Sequence, residues 1–225
     1  MYLTQFAYSY THIYIHIYIS IYTCIESMDT SGVVAYKVFP NGDLEYINTI
    51  TSQGGAPCHI TLTPKGTHLI ISNYFGGSVS IVSIDQTTGG FHMDIGNNNN
   101  INADTNGNNT NTTAKPNTNI NKNNKPIQNI PSRYTHTNKN PNRNGAHVHQ
   151  SVYIPHTNII IICDLGYDLL TTYLFNDNTN TTNVLTELSR FELASGSGPR
   201  HMVLNKKYEY IYILNEICNT IVVTN

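Results

Sequence analysis

Apolar and polar positions in this chain recur with a period of two far more often than with the three-and-four spacing of a helix. Residues 33–39 alternate, Pro40-Asn41-Gly42-Asp43 reads as a turn, and residues 44–50 resume the extended pattern. Residues 59–63, 69–72 and 78–84 predict further strands, separated by Pro64-Lys65-Gly66-Thr67 and by the glycine-containing stretch 73–77. No window sustains apolar residues at i, i+3 and i+4 long enough to predict a helix. Turn residues punctuate the chain every 8–12 residues or so, the spacing of an all-β sandwich, barrel or propeller.

An internal repeat chooses among these architectures. The segment HITLTPKGTHLIISN runs from His59 to Asn73, QSVYIPHTNIIIICD from Gln150 to Asp164, and HMVLNKKYEYIYILN from His201 to Asn215. Each is fifteen residues long, its last residue fourteen positions after its first, and Pro64 and Pro155 fall at the same offset. A short turn and another apolar strand follow each: SVSIVSI, LLTTYLF and TIVV. A period near 45–50 residues with about four strands per unit is the mark of a β-propeller blade. The expected fold is therefore all-β, an incomplete propeller of about three four-stranded antiparallel blades. Each fifteen-residue unit is a hairpin, so its two ends lie side by side. This geometry gathers Arg200 and His201 with Asn215 and Glu216, His147, His149 and Gln150 with Asp164, and Cys58 and His59 with Asn73 on one rim.

Two stretches interrupt the pattern. Residues 12–22, HIYIHIYISIY, place Ile at every second position and read as a simple-sequence repeat, one that would pair only as an added or replacement strand. Residues 96–144 are dominated by Asn and Thr, too apolar-poor to offset the entropy of ordering, and predict a disordered insert. The organisation expected is thus a low-complexity terminus over 1–27, propeller blades over 28–95, the insert over 96–144, and further blades over 145–225. Removal of 97–143 is expected to leave soluble expression and cooperative unfolding unchanged or improved, because long loops cost little entropy.

Composition narrows function. The net charge is −2 and only 12% of residues are charged, against about 25% in an average domain. That leaves no basic footprint for nucleic acid and no polybasic membrane segment. Four dispersed cysteines form no C-x-x-C, which predicts reduced thiols in a cytoplasmic protein. The pair His147 and His149 could in principle seat a metal with His201, Asp164 or Glu216, but no other spacing supports one, and no metal or other cofactor is expected.

At GGAPCHITLTPKGTHLIISNYFGGSVSIVSI, RNGAHVHQSVYIP and SGSGPRHMVLNKKYEYIYILNEICNTIVV the chain resembles the seven-bladed β-propeller lactonases, the family of a bacterial type of 6-phosphogluconolactonase and of the carboxymuconate cyclases. The resemblance implies hydrolysis of a small-molecule lactone such as 6-phosphogluconolactone to its open acid, in the oxidative pentose phosphate route. A carboxymuconate-type reaction and a non-catalytic scaffold are the alternatives. It also implies that His147, Arg200 and Glu216 carry the chemistry. Side-chain chemistry then suits His147 to the base, Arg200 to an anion or oxyanion clamp and Glu216 to an orienting carboxylate. His59, His149, His201 and Asn215 on the same rim are the candidate substrate-binding residues, although a lone His at a strand start, as His59 is, more often serves as a structural hydrogen-bonder. On residue chemistry alone, an Arg200–Glu216 pair reads first as a salt bridge that locks the hairpin. The family pattern runs on for several more blades, so another chain completing the ring is a further expectation.

Overall fold

The computed structural model describes residues 7–9, 19–27, 30–92, 126–132, 145–178 and 181–225, and no helix occurs among them. Four antiparallel sheets follow one another along the chain. The first comprises β1 (Ala7–Ser9), β2 (Ile19–Ile25), β3 (Gly32–Val38) and β4 (Leu44–Thr51). The second holds β5 (Pro57–Leu62), β6 (His68–Asn73), β7 (Ser78–Ser83) and β8 (Gln128–Pro131). The third holds β9 (Val148–Ile154), β10 (Ile159–Asp164), β11 (Leu169–Phe175) and β12 (Leu185–Glu192), and the fourth has three strands, β13 (Pro199–Leu204), β14 (Ile211–Asn215) and β15 (Thr220–Thr224). Every strand pairs with its neighbours in sequence order, the up-and-down meander of a propeller blade.

The apolar runs of β6 and β10 follow from this stacking, because a sheet covered on both faces needs apolar residues at consecutive positions. Leu69 and Ile71 pack back on the first sheet with Tyr22, Val33, Ala35 and Ile50. Their neighbour Ile70 faces forward, into a core with Ile160 and Ile162 of the third sheet. Ile161 and Cys163 in turn face Met202 and Ile213 of the fourth. Tyr212 and Leu214 occupy the next alternate positions and are exposed, since among the described residues no fifth sheet covers them. The first strands of successive sheets also lie together, β5 against β9 and β9 against β13, so one end of each hairpin lines the inside of the arc.

The structure departs from the sequence reading in three places. Four sheets are present, not about three, because the Tyr/Ile-rich stretch supplies β2 to a sheet that residues 28–95 alone leave incomplete. Tyr22 of that stretch is buried, and its hydroxyl donates to the Gly89 carbonyl at 2.8 Å; most of the repeat lies outside the described residues. The Asn-rich segment contributes β8, which pairs with β7 as the fourth strand of its sheet. Ile127 and Ile130 pack on the core between the second and third sheets. The Gln128 side chain accepts from the Val184 and Leu185 amides at 2.9 and 2.8 Å and donates to the Leu185 carbonyl at 3.0 Å, tying the two sheets together. The rest of 96–144, apart from 126–132 and Gly145 onward, lies outside the described residues. The third departure is in register and shapes the site.

Candidate functional site

All three repeat hairpins carry a β-bulge at the same position. Pro57 pairs with Asn73 but His59 with Ser72, leaving Cys58 as the extra residue. Val148 pairs with Asp164 and Gln150 with Cys163, leaving His149. Pro199 pairs with Asn215 and His201 with Leu214, leaving Arg200. A bulge bends the strand and re-aims its extra side chain. Here Cys58, His149 and Arg200, with the residues that follow them, His59, Gln150 and His201, line one cavity of about 190 Å³, which Glu26 also borders.

Arg200 is held from two sides. Its Nη1 lies 3.0 Å from a Glu216 carboxylate oxygen, and its Nε donates to His149 Nε2 at 2.9 Å. A guanidinium can only donate, so His149 Nε2 is an acceptor and its ring is neutral. The Arg200–Glu216 pair is about two-fifths exposed on each side, where ion pairs contribute roughly 0–1 kcal/mol. Such a pair adds little to stability, and its effect is to fix where the guanidinium points. The His201 ring meets that of His149 edge-on at 4.8 Å. Burial, and secondarily the Arg200 charge, hold His201 below the usual imidazole range, so it is neutral near pH 7.

His59 is 5% exposed, and neither ring nitrogen has a hydrogen-bond partner among the described residues. Burial pushes it down to about 3, with smaller contributions from the neighbouring His201 and His149. Cys58 is no nucleophile. Burial pushes its thiol up to about 12, the Glu26 charge adds to this, and its Sγ lies 3.3 Å from the His149 carbonyl.

The remaining expected site residues lie elsewhere. His147 does not line the cavity. Its ring lies tilted against that of Tyr74 at 4.7 Å, its Nδ1 is 3.2 Å from the Tyr74 carbonyl, and its amide donates to Asp164. The bulge at His149 breaks the alternation that would have put both histidines on one face. Asn215 is buried and donates to Thr220 Oγ1 at 3.1 Å within its own turn. Asn73 and Asp164 hold the equivalent turns, Asp164 by accepting from the amides of His147, Gly166 and Tyr167. Among the described residues no group of three or more His, Cys, Asp or Glu is arranged to hold a metal.

Sequence reasoning placed Gln150 and Cys58 on this rim without giving either a role in the site, and it overlooked Glu26. The signal for Cys58 was its place in the repeat, one residue before His59 as Arg200 is before His201. Glu26 follows the low-complexity stretch and has no counterpart in the repeat.

The family model described as Lactonase, 7-bladed beta-propeller, matches residues 19–225. The chain belongs to this lactonase family. The match begins at the first residue of β2, in agreement with that strand's place in the first sheet. The 6-phosphogluconolactonase of Bacillus subtilis (strain 168) is 26% identical over 202 residues, covering 88% of this chain and 46% of its own length. That of Formosa agariphila is 27% identical over 199 residues, covering 86% and 46%. A Bacteroides fragilis crystal structure superposes with a TM-score of 0.69 at 25% identity, over 91% of this chain and 49% of that one. The periplasmic gluconolactonase of Pseudomonas aeruginosa shares the fold, with a TM-score of 0.69 at 18% identity over 91% and 50%. The chain thus spans about half the length of the curated relatives it matches.

Proposed function

We propose that this chain carries the anion-binding side of a lactonase site and takes part in opening a sugar lactone such as 6-phosphogluconolactone. The observation that carries the reading is Arg200, aimed by Glu216 at 3.0 Å and by His149 at 2.9 Å, at the edge of a cavity. Water attack on a lactone carbonyl builds negative charge on oxygen, and a preoriented guanidinium stabilises that charge or clamps a substrate phosphate. The attacking water needs a base. His201 lines the cavity and is neutral near pH 7, so we give it the role that the sequence reading assigned to His147. His149 already accepts from Arg200 and serves to orient it. The relatives named 6-phosphogluconolactonase support a phosphorylated sugar lactone over a muconate-type one. A cytoplasmic setting belongs to the same proposal and rests on four cysteines that are all unpaired, as does completion of the ring by further blades.

A second reading, a non-catalytic half-propeller that serves as a scaffold, draws on the uncovered face of the fourth sheet, where Val203, Ile221 and Val223 are exposed. Ring opening followed by acid release in a pH-stat separates the two. The lactonase reading expects the purified chain to accelerate opening of 6-phosphogluconolactone above the spontaneous rate, and more than it accelerates a carboxylated muconolactone. A spontaneous rate for both would leave the scaffold.

A further inference from the structure

A buried imidazole with two unpartnered nitrogens is an unusual feature of a folded protein. Each buried polar atom left without a partner costs about 1–3 kcal/mol, so such groups call for an explanation in ligand, water or strain. His59 sits on β5, 5% exposed, with Nδ1 and Nε2 both unpartnered among the described residues, and it lines the same cavity as Arg200. Three of the other cavity side chains are committed, and His201 has the role of base. Gln150 Oε1 accepts from the Met202 amide, His149 Nε2 accepts from Arg200, and the Cys58 thiol faces backbone carbonyls.

The chemistry of the missing partner follows from the ring. A neutral imidazole presents one N–H donor and one lone-pair acceptor. A carboxylate or phosphate only accepts, so it can satisfy one nitrogen and repels the lone pair of the other. Arg200 already offers such an anion a better seat. An aliphatic ring satisfies neither nitrogen. Hydroxyl groups both donate and accept, so a substrate hydroxyl can pair with either nitrogen whichever tautomer the ring holds.

We infer that His59 is the specificity-determining residue of this cavity, reading the hydroxyl groups of a polyhydroxylated lactone, a role that rests on the lactonase reading of the site. Arg200 and His59 then divide recognition between them, the first taking charge and the second taking hydroxyls. Because burial keeps His59 neutral, its donor and acceptor pattern is the same throughout the neutral range. A site that pairs with substrate hydroxyls rejects an analogue lacking them, since the analogue leaves those buried nitrogens bare.

The test compares wild type, His59→Leu and His59→Gln in the full chain. The first readout is the ratio of kcat/KM for 6-phosphogluconolactone to that for δ-valerolactone, a ring without hydroxyls. His59→Leu should lower that ratio at least tenfold, and His59→Gln, which keeps a donor and an acceptor, should restore much of it. The second readout needs no catalysis. The imidazole nitrogen resonances of His59, assigned by their loss in His59→Gln, should shift on titration with gluconate and not with valerate, which shares its carboxylate but has no hydroxyls. A wild type that opens neither lactone yet shows the gluconate-specific shift would sink the lactonase reading and leave the hydroxyl reading standing. An unchanged ratio in His59→Leu, or His59 resonances that ignore gluconate, would overturn the inference.

Discussion

Lowering the pH from 7 to 5 should destabilise the folded chain by about 2 kcal/mol through His59 alone. The unfolded imidazole titrates near 6.5, whereas burial holds the folded one at about 3. The unfolded state therefore binds more protons everywhere between these values, and stability rises with pH through that window. It is complete above 6.5 and falls as pH drops below it. At pH 5 the unfolded group is 1.5 units below its pKa, worth about 2 kcal/mol at 1.36 kcal/mol per unit, while the folded group is still neutral. A folded value anywhere below about 4 gives the same answer. The groups that face His59 act in the same direction, because His149 and His201 both disfavour a further positive charge there. Urea unfolding of wild type and His59→Gln at pH 7 and pH 5 isolates the effect. Wild type should lose about 2 kcal/mol more than the variant across that interval, read as a larger fall in midpoint at constant slope. Equal losses in the two proteins would show that His59 takes up its proton in the folded state as easily as in water, and the buried, unpartnered imidazole would be refuted.

Gln128→Ala should cost about 2 kcal/mol, because it leaves the Val184 and Leu185 amides without their acceptor between two sheets. In thermal unfolding this is a fall of roughly 4–8 °C in Tm, and an unchanged Tm would show that β8 does not tie the sheets. Removal of 97–143, which takes β8 with it, should lower the unfolding midpoint and make the β7 edge prone to aggregation; an unaltered midpoint would contradict the four-stranded second sheet. Ile160→Ala, at a fully buried position of the core between the second and third sheets, should cost about 2–5 kcal/mol in urea unfolding.

The hairpins were legible because turn chemistry and apolar runs agree. Pro64-Lys65-Gly66-Thr67 predicts a turn, and Gly66 takes the positive φ of 69° that a residue with a side chain resists. The runs in β6 and β10 announced sheets covered on both faces. Two strands were hidden by composition. In β2 a simple repeat resembles noise although Tyr22 is a core residue, and β8 is four residues within an Asn-rich tract whose value lies in tertiary contacts of Gln128 and Ile130. Register was hidden for a different reason. A bulge has no reliable signature in the sequence, and one extra residue exchanges the faces on which neighbours lie. An uninterrupted hairpin places His147 and His149 together on the rim. The bulge aims His149 at Arg200 and leaves His147 on Tyr74. The pairing of Arg200 with Glu216 survived because the turn holding Glu216 folds back across the bulge, its amide donating to the Gly198 carbonyl.

In the proposed reaction Arg200, aimed by Glu216 and His149, stabilises the charge that forms when a lactone opens. The most direct measurement of this is the rate of 6-phosphogluconolactone opening by wild type, Arg200→Ala and Arg200→Lys at pH 7. Loss of one such donor typically costs 10²–10³ in kcat, about 2.7–4 kcal/mol, so Arg200→Ala should fall by that factor. Arg200→Lys should recover little, since an ammonium cannot reach His149 and Glu216 at once as the planar fork does. Wild-type rates in both variants would contradict the claim.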